Sequence, residues 1–333
     1  MNLPPGFISI ITNTYGEDGE RLIANLPALI EEASQRWGLT NVQPVSNLSY
    51  NFVAFANRPS STDFAKYAPS SAQDEVVLKI GVPRDELTSE IATLRLFRGE
   101  GACQLIDADE EKGFLLLERL QPGLMLSTLE DDEEATHIAA EVMKKIWRPL
   151  ESDSLLSVQE QAPALQKFIL LSDWFDGLND LRAMFDGGTG PLDEKLVART
   201  EGSVRDFLVE NHMPVLMHGD FHHCNILSSE RGWLVIDPKG VIGPAGYEVG
   251  PLMINPWGSH FDKLSAALSD GISNRLAQSV RRVDILHEHL DWERERILEW
   301  SLAHAILSAW WGIEDNTGWE YALSFARLIT KLK

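Results

Sequence analysis

The pattern of apolar and polar positions changes near residue 121. Before it, short apolar runs rich in β-branched and aromatic residues are separated by turn residues, and such runs predict strands. They lie at residues 42–45, 52–56, 76–80, 102–108 and 114–118. After it, apolar residues recur every three or four positions over long segments, a spacing that predicts helices. The sequence therefore predicts an α+β fold whose strands lie mainly in the N-terminal third.

The predicted helices each carry an apolar face at helical spacing. An N-terminal helix over residues 20–37 places Leu22, Leu26 and Leu29 on one side and is expected to pack on the strand-rich part. Another helix follows the third strand, around Glu90. The later helices are predicted at residues 131–150, 155–178, 192–211, 259–281, 291–312 and 319–332. The first of these begins with acidic residues, which suit the positive end of a helix dipole.

Charge and cysteine content narrow the classes of partner and compartment. The chain has 333 residues, of which 44% are hydrophobic, and its 50 acidic and 29 basic residues give a net charge of −21. Such a charge repels nucleic acids and anionic membranes and attracts cations. The two cysteines, Cys103 and Cys224, lie far apart in sequence, and no apolar run reaches membrane-spanning length. We expect a cytoplasmic protein with no nucleic-acid or membrane partner; its oligomeric state stays open.

Residues that can carry chemistry are concentrated in residues 218–240. Two short apolar strands joined by a polar turn span residues 226–236 and predict a β-hairpin. Asp220 and Asn225 precede the first strand, and Asp237 follows the second. The hairpin brings three oxygen-bearing side chains to one end, where a hard divalent cation and a reacting hydroxyl can both be held.

The order of these residues resembles that of kinase-like phosphotransferases, in which His-x-Asp is followed by Asn and, after a hairpin, by Asp. Gly219 after His218, with the Asp-Pro-Lys-Gly run at residues 237–240, resembles the aminoglycoside/hydroxyurea phosphotransferase group, which includes streptomycin kinases. This resemblance implies a two-lobed protein-kinase-like fold. The small lobe, residues 1–121, would have a five-stranded antiparallel sheet and one main helix and would bind the nucleotide. The mostly helical large lobe, residues 122–333, would carry catalysis and acceptor binding.

The resemblance also implies roles for individual residues of the large lobe. Asp220 is expected to accept the proton of the acceptor hydroxyl, and Asn225 and Asp237 are expected to hold Mg²⁺. His218 is expected to be structural, with its ring hydrogen-bonded within the catalytic loop.

Three residues close to this motif keep open roles. Lys239 can contact a phosphate or pair with a local carboxylate, and we favour the ion pair. His222 receives no role. Glu248 follows Tyr247, where relatives often have Asp, so its longer side chain leaves its role open.

The expected nucleotide contacts begin with Lys79. It is the charged residue of the apolar strand at residues 76–80, a costly position for an ammonium group unless it meets an anion. We expect it to contact the α- and β-phosphates of ATP and to pair with Glu90, with Glu86 as the competing partner. The resemblance adds a phosphate-covering turn and backbone contacts to the adenine edge. These residues are Ser46, Asn47 and Ser49 for the phosphates and Glu118 and Leu120 for adenine.

The acceptor is expected to meet residues of the C-terminal helices. Trp311, Glu314 and Asp315 close the helix predicted at residues 291–312 and can receive a cationic, hydroxyl-rich ligand by stacking and ion pairing. Trp257, in a turn, can line the same site. For any single one of them, a solvated helix end or a core aromatic is the alternative interpretation.

These features predict MgATP-dependent phosphorylation of a hydroxyl on a small molecule, with an aminoglycoside such as streptomycin as the acceptor. Aminoglycosides are polycations, which agrees with the negative charge of the chain. A sugar, choline or a hydroxyurea-like compound is the alternative acceptor.

Two other functions remain as alternatives. A metal-dependent hydrolase would use zinc ligands from the set His218, Asp220, His222, His223 and Cys224. The adjacent histidines are expected to point apart, which argues against such a site. A nucleotide-binding pseudokinase is the third interpretation, and it leaves the complete set of Lys79, Asp220, Asn225 and Asp237 unexplained.

Overall fold

The chain divides into two compact units, Met1–Gln121 and Pro122–Lys333. The structure is a computed structural model that describes residues 3–59, 73–150, 167–210, 213–255 and 268–332. The division falls where the hydrophobic pattern of the sequence changes. The assignment of nucleotide binding to the first unit and of catalysis and acceptor binding to the second stays a prediction.

Five antiparallel strands form the sheet of the first unit. They are β1 Thr40–Pro44, β2 Phe52–Pro59, β3 Gln73–Ile80, β4 Leu105–Asp109 and β5 Phe114–Glu118. Their order in the sheet is β1-β2-β3-β5-β4. Because side chains alternate along a strand, Val76, Leu78 and Ile80 of β3 enter the core on one face while Lys79 points to the other.

Three helices accompany this sheet in the described part of the unit. They are α1 Pro5–Tyr15, α2 Glu17–Trp37 and α3 Asp85–Phe97. Helix α2 buries Leu22, Leu26 and Ile30 in the core that it shares with β2 and β3. It ends at Gly38, whose φ of 65° is the left-handed conformation that glycine adopts without steric cost.

Helix α1 is an element that the sequence analysis does not predict. Its residues include isoleucines and threonines, which favour helices only weakly. Pro5 begins the helix, where its missing N–H has no intrahelical partner to lose. Phe7 and Ile11 are fully buried in the core of the unit. Burial of two such side chains, at about 1.5–3 kcal/mol each, outweighs the weak propensity.

Short strands form two sheets in the second unit. The strands are β6 Pro122–Met125, β7 Arg148–Pro149, β8 Ile169–Leu170, β9 Val215–Met217, β10 Ile226–Ser229, β11 Gly232–Val235 and β12 Val241–Gly243. The first sheet has the order β11-β10-β6 and the second the order β7-β9-β12-β8. The hairpin expected around residues 226–236 is formed by β10 and β11.

Helices make up most of the second unit. They are α4 Asp132–Ile146, α5 Leu171–Met184, α6 Glu194–Val209, α7 Val249–Ile254, α8 Leu268–Leu290, α9 Arg294–Glu314 and α10 Glu320–Ile329. Helix α9 is central, because it packs against α5, α6, α7, α8 and α10. Across the residues that the structure describes, no helix combines the length and the apolar character that a membrane span requires.

In its described part, the prediction of one helix over residues 155–178 is confirmed from Leu171 onward and is wrong at residues 169–170. Ile169–Leu170 form β8, and the helix α5 begins only at Leu171. The Ile169 N–H donates a hydrogen bond to the carbonyl oxygen of Gly240 at 3.1 Å, beside the parallel strand β12. A short apolar run is compatible with a buried strand as well as with a helix. Here pairing with the distant strand β12 makes residues 169–170 a strand. Residues 151–166 lie outside the described residues.

Candidate active site

The loop at residues 218–225, called the catalytic loop after the role that the sequence predicts for it, is held at both ends by backbone hydrogen bonds. At its start, the Lys239 N–H donates to the carbonyl oxygen of His218 at 2.7 Å. At its end, the Ile236 N–H donates to the carbonyl oxygen of Asn225 at 2.9 Å. These two bonds fix the two residues between Ile236 and Lys239, which are Asp237 and Pro238, to the loop. The β10–β11 hairpin therefore places Asp237 beside the loop that carries Asp220.

Asp220 and Asn225 are in direct contact. The Asn225 side-chain N–H₂ donates to the backbone oxygen of Asp220 at 3.0 Å and lies 3.4 Å from its carboxylate Oδ2. The side-chain oxygen of Asn225 accepts no hydrogen bond from the described residues and stays available as a ligand. The side chain of Asp220 is 37% exposed. The loop thus presents a carboxylate and an amide oxygen side by side.

The charges around Asp220 keep its carboxyl group ionised. Burial alone would raise its pKa, but the charges of His222 and Lys239 and the contact with His222 lower the pKa below its usual value. The His222 Nε2 atom lies 3.6 Å from Oδ2 of Asp220. For His222 the signs are reversed. Burial alone would lower its pKa, but the charge of Asp220 raises the pKa above its usual value. His222, without a role in the sequence analysis, is therefore an ion-pair partner of the Asp220 carboxylate.

Lys239 lies close to both carboxylates of the site. Its Nζ atom is 3.8 Å from Oδ2 of Asp237, as expected for the ion pair that the sequence analysis favours. Asp237 adopts a φ of 58°, a left-handed conformation that Asp tolerates better than most residues. The carboxylate of Asp237 and the amide oxygen of Asn225 are hard oxygen donors. This donor set fits Mg²⁺.

His218 is fully buried and occupies both of its ring nitrogens within the loop. The Asp220 N–H donates to Nδ1 at 3.2 Å, so Nε2 carries the hydrogen and donates to the Ile236 oxygen at 2.8 Å. Burial lowers the pKa of His218 to about 4, in spite of the nearby charge of Asp220. A neutral ring with fixed donor and acceptor atoms links the two ends of the site, which is the geometry expected of a structural histidine.

Glu248 anchors the catalytic loop by hydrogen bonds to the backbone of its first residues. It lies in the 3₁₀ turn Ala245–Glu248 and is completely buried. Its two carboxyl oxygens accept the N–H groups of His218 at 3.1 Å and of Gly219 at 2.8 Å. Gly219 has a φ of +87°, and a Cβ atom there would collide with the side chain of Val241. The sequence leaves open whether the longer side chain of Glu248 fits at this position. It does fit, and it holds Gly219, the residue before Asp220.

A possible zinc site has no structural support among the residues described. No group of three or more His, Cys, Asp or Glu side chains there is arranged to hold a metal ion. Both ring nitrogens of His218 are already engaged, and both ring nitrogens of His223 are buried without a partner. The dense run of possible ligands in the sequence does not converge on one point.

The residues expected near the acceptor are only partly brought together. Trp311 packs edge-on against Trp174 of α5, with ring centroids 5.2 Å apart. Glu314 and Asp315 are exposed at the end of α9 and make no ion pair within the described part of the chain. Burial together with the charges of Asp315 and Asp180 raises the pKa of Glu314. Trp257 lies outside the described residues.

Lys79 and Glu90 form a buried ion pair in the first unit. The Nζ atom lies 2.7 Å and 2.6 Å from the two carboxylate oxygens, and the residues are 5% and 4% exposed. The expected partner, Glu90, is therefore confirmed as an ion-pair partner of Lys79. Contact of Lys79 with a nucleotide stays a prediction.

We expect Lys79→Met to lower the free energy of unfolding by about 3 kcal/mol, because it removes the ion pair of the buried Glu90 carboxylate with Lys79. Chemical denaturation followed by circular dichroism measures this loss. The double variant Lys79→Met/Glu90→Leu should recover part of the stability, since it also removes the buried charge of Glu90. A single variant as stable as the native protein would contradict the energetic role of the pair.

The other residues expected to contact the nucleotide differ in their exposure and in whether their backbone groups are available for hydrogen bonds. Ser46, Asn47 and Ser49 are exposed in the loop between β1 and β2. The Glu118 N–H donates to the Gln104 oxygen at 2.9 Å, so this donor is not available to adenine. The backbone N–H and oxygen of Leu120 have no hydrogen-bond partner among the described residues. Of the two adenine candidates, Leu120 keeps both backbone groups available.

Comparison with known proteins gives one consistent picture. Residues 68–316 match the family model described as aminoglycoside/hydroxyurea antibiotic resistance kinase. Streptomycin 6-kinase of Streptomyces griseus is 29% identical over 317 residues, which are 95% of this chain and 92% of the relative. Hydroxyurea phosphotransferase of Kitasatospora aureofaciens is 25% identical over 319 residues, 95% of this chain and 82% of the relative.

Solved structures share the fold. Choline kinase LicA from Streptococcus pneumoniae superposes with a TM-score of 0.57 at 12% identity, covering 92% of this chain and 98% of that one. An aminoglycoside phosphotransferase in complex with ADP and hygromycin B superposes with a TM-score of 0.56 at 13% identity, covering 90% and 97%. The predicted α+β, protein-kinase-like fold class is confirmed.

Proposed function

The chain belongs to the aminoglycoside/hydroxyurea antibiotic resistance kinase family, and from this premise we propose that it transfers the γ-phosphate of ATP to a hydroxyl of a small cationic molecule, with streptomycin as the first candidate. The observation that carries the proposal is the contact of Asp220 with Asn225, beside the anchored Asp237. A base and one hard oxygen ligand in this loop, with a second ligand in the segment bonded to it, are what phosphoryl transfer to a hydroxyl requires.

In the proposed reaction, Asp220 binds the acceptor hydroxyl and orients its oxygen toward the γ-phosphorus. The new bond joins the acceptor oxygen to phosphorus, and the bond from phosphorus to the bridging β–γ oxygen breaks, so ADP leaves. The hydroxyl proton passes to the Asp220 carboxylate, whose lowered pKa keeps it ionised and able to accept the proton. Positioning matters more than basicity, because the transferring group is already electrophilic.

Asn225 and Asp237 are the residues that would hold Mg²⁺. When bound, the ion offsets the negative charge that develops between the β- and γ-phosphates. The neighbouring Lys239 adds a positive charge on the same side of the loop. In the first unit we assign Lys79, the β1–β2 loop and Leu120 to nucleotide binding. Trp311, Glu314 and Asp315 are assigned to the acceptor, with the carboxylates attracting a cationic molecule.

Hydroxyurea is the second candidate acceptor, because the relative from Kitasatospora aureofaciens is named for its phosphorylation. This compound is small and uncharged, so it would not use the carboxylates at the end of α9. The two candidates therefore differ in their expected dependence on Glu314 and Asp315.

The test is to incubate the purified protein with MgATP and a panel of acceptors and to follow ADP release. The panel contains streptomycin, a second aminoglycoside, hydroxyurea, choline and a hexose. We expect ADP release above the acceptor-free rate with streptomycin, together with a product heavier by one phosphoryl group in the mass spectrum. ADP release that no acceptor stimulates, from a protein that still binds ATP, would contradict the proposed function.

A further inference from the structure

His304 of α9 is a nearly buried histidine that the proposed reaction does not use. It is 6% exposed. Its Nδ1 atom lies 2.9 Å from the hydroxyl oxygen of Tyr247, which is itself completely buried. Tyr247 directly precedes Glu248, the residue that anchors the catalytic loop. His304 is therefore connected to the support of the active site across 57 positions of sequence.

The buried tyrosine fixes which nitrogen of His304 carries a hydrogen. The Tyr247 hydroxyl has Nδ1 as its hydrogen-bond partner within the described residues, and a buried hydroxyl hydrogen without an acceptor would be costly. Tyr247 therefore donates and Nδ1 accepts. Burial lowers the pKa of His304 to about 4, so the ring is neutral at pH 7. A neutral ring that accepts at Nδ1 must carry its hydrogen on Nε2.

The Nε2–H group of His304 has no partner of its own among the described residues. The residue is not fully enclosed, since it remains 6% exposed. A donor on a side chain that is more than nine-tenths buried but not sealed off can donate to a ligand that binds against it. A buried donor left unpaired is costly, which favours a ligand that supplies an acceptor oxygen.

Two tryptophans border His304. The ring of Trp311 lies 6.3 Å from the His304 ring and 5.2 Å from that of Trp174, edge-on in both contacts. Both tryptophans are half-buried, so part of each ring surface is open. Trp174 also reaches the catalytic loop, since its ring edge would lie 3.2 Å from a Cβ atom on Gly219. Trp174 therefore lies beside Gly219, which precedes Asp220, and Trp311 connects Trp174 to His304.

We propose that His304 is an acceptor-binding residue, whose Nε2–H donates a hydrogen bond to an oxygen of the acceptor while the acceptor ring packs against Trp174 and Trp311. The assignment rests on the proposed function and specifies its acceptor class. Aromatic faces bind the apolar face of a cyclic polyol, and a single N–H selects one of its oxygens. A cyclic, polyhydroxylated acceptor uses both features, whereas hydroxyurea has no ring to pack.

The first test reads the tautomer directly. In protein labelled with ¹⁵N-histidine, His304 should show the spectrum of a neutral ring protonated at Nε2, and the Nε2 resonance should shift when streptomycin is added with a non-hydrolysable ATP analogue. His304→Asn identifies the resonance by its loss. A ring protonated at Nδ1, or an Nε2 signal that streptomycin leaves unchanged while it binds, would overturn the proposal.

The second test separates acceptor binding from catalysis and from folding. His304→Asn keeps an atom that can accept from Tyr247 and removes the Nε2–H donor. We expect roughly a tenfold loss of kcat/KM for the best acceptor of the panel, mainly through KM, with KM for ATP and the melting temperature nearly unchanged. His304→Gln, whose amide reaches the position of Nε2, should recover part of the loss.

Matched tryptophan variants test the ring contacts. Trp174→Phe should raise KM for the acceptor, whereas Trp292→Phe should not, although Trp292 also belongs to a half-buried aromatic pair, with Trp147. If the native protein turns over a panel acceptor and His304→Asn matches it in KM, the inference fails and the proposed function stands. If no acceptor is turned over, the proposed function fails, and the tautomer still decides the geometry at His304.

Discussion

Replacing Asp220 by Asn should lower kcat by about 10²–10⁴-fold, because the amide cannot take the proton of the acceptor hydroxyl. The substitution keeps the shape of the side chain, so KM for ATP and the melting temperature should change little. Steady-state ADP release with the best acceptor of the panel measures the effect. The contact with Asn225 runs mainly to the backbone oxygen of Asp220 at 3.0 Å and does not depend on the carboxylate.

Two control variants test whether the loss of kcat is specific to the Asp220 carboxylate and to its position. Asp206→Asn, at an exposed position of α6, should leave kcat unchanged. Asp220→Glu keeps the acid but moves it, and it should recover little activity if positioning dominates over basicity. An Asp220→Asn enzyme within tenfold of the native kcat would show that another group receives the proton, and His222 would be the first alternative to examine.

The sequence predicts the parts of the fold that depend on local signals. The β10–β11 hairpin follows from two apolar strands around a polar turn, and this local element is sufficient to bring Asp237 back to the catalytic loop. The pairing of Lys79 with Glu90 follows from one charge in an apolar strand and a helix directly after it. In both cases the interacting residues are close in sequence, so a pattern read along the chain contains the contact.

Elements that depend on distant partners could not be predicted in this way. Helix α1 has weak helix propensity and forms because Phe7 and Ile11 are buried in a core built by later strands. Strand β8 consists of two residues, and it exists because β12, some seventy positions later, offers a pairing edge. Tertiary burial and pairing outweigh local preference at both sites.

The same distinction applies to the candidate site. Asp220, Asn225 and Asp237 stand in a recognisable order, so the sequence assigns them roles. Trp174 lies in a helix to which the sequence analysis assigns no chemistry, and His304 lies within an apolar helix with no motif around it. Their proximity to the loop is created by the packing of α5 and α9, which no local spacing records. Glu248 is an intermediate case. The sequence identifies its position next to Tyr247, but it does not predict whether the fold accommodates the longer side chain.

Replacing Glu248 by Ala should destabilise the second unit by roughly 3–5 kcal/mol. The substitution leaves the N–H groups of His218 and Gly219 buried without acceptors and opens a cavity beneath the loop. Activity should fall even where the protein stays folded, because Asp220 directly follows Gly219. Denaturation curves and ADP release measure the two effects separately, and Glu130→Ala, at an exposed position, is the matched control. A variant with native stability would contradict the anchoring role.

The pH dependence of stability provides an independent test of the same residue. Burial raises the pKa of Glu248 to about 8; the two N–H groups oppose this effect, and the charge of Asp220 adds to it. In the unfolded chain the group titrates near 4.5. Between these values the folded state binds more protons than the unfolded state, so the contribution of Glu248 to stability falls as pH rises from about 5 to 8. Glu248→Gln should lack this component, and the difference in unfolding free energy between the native protein and Glu248→Gln should therefore shrink with increasing pH. A difference that stays constant over the same range would mean that the loop N–H groups hold Glu248 as a carboxylate.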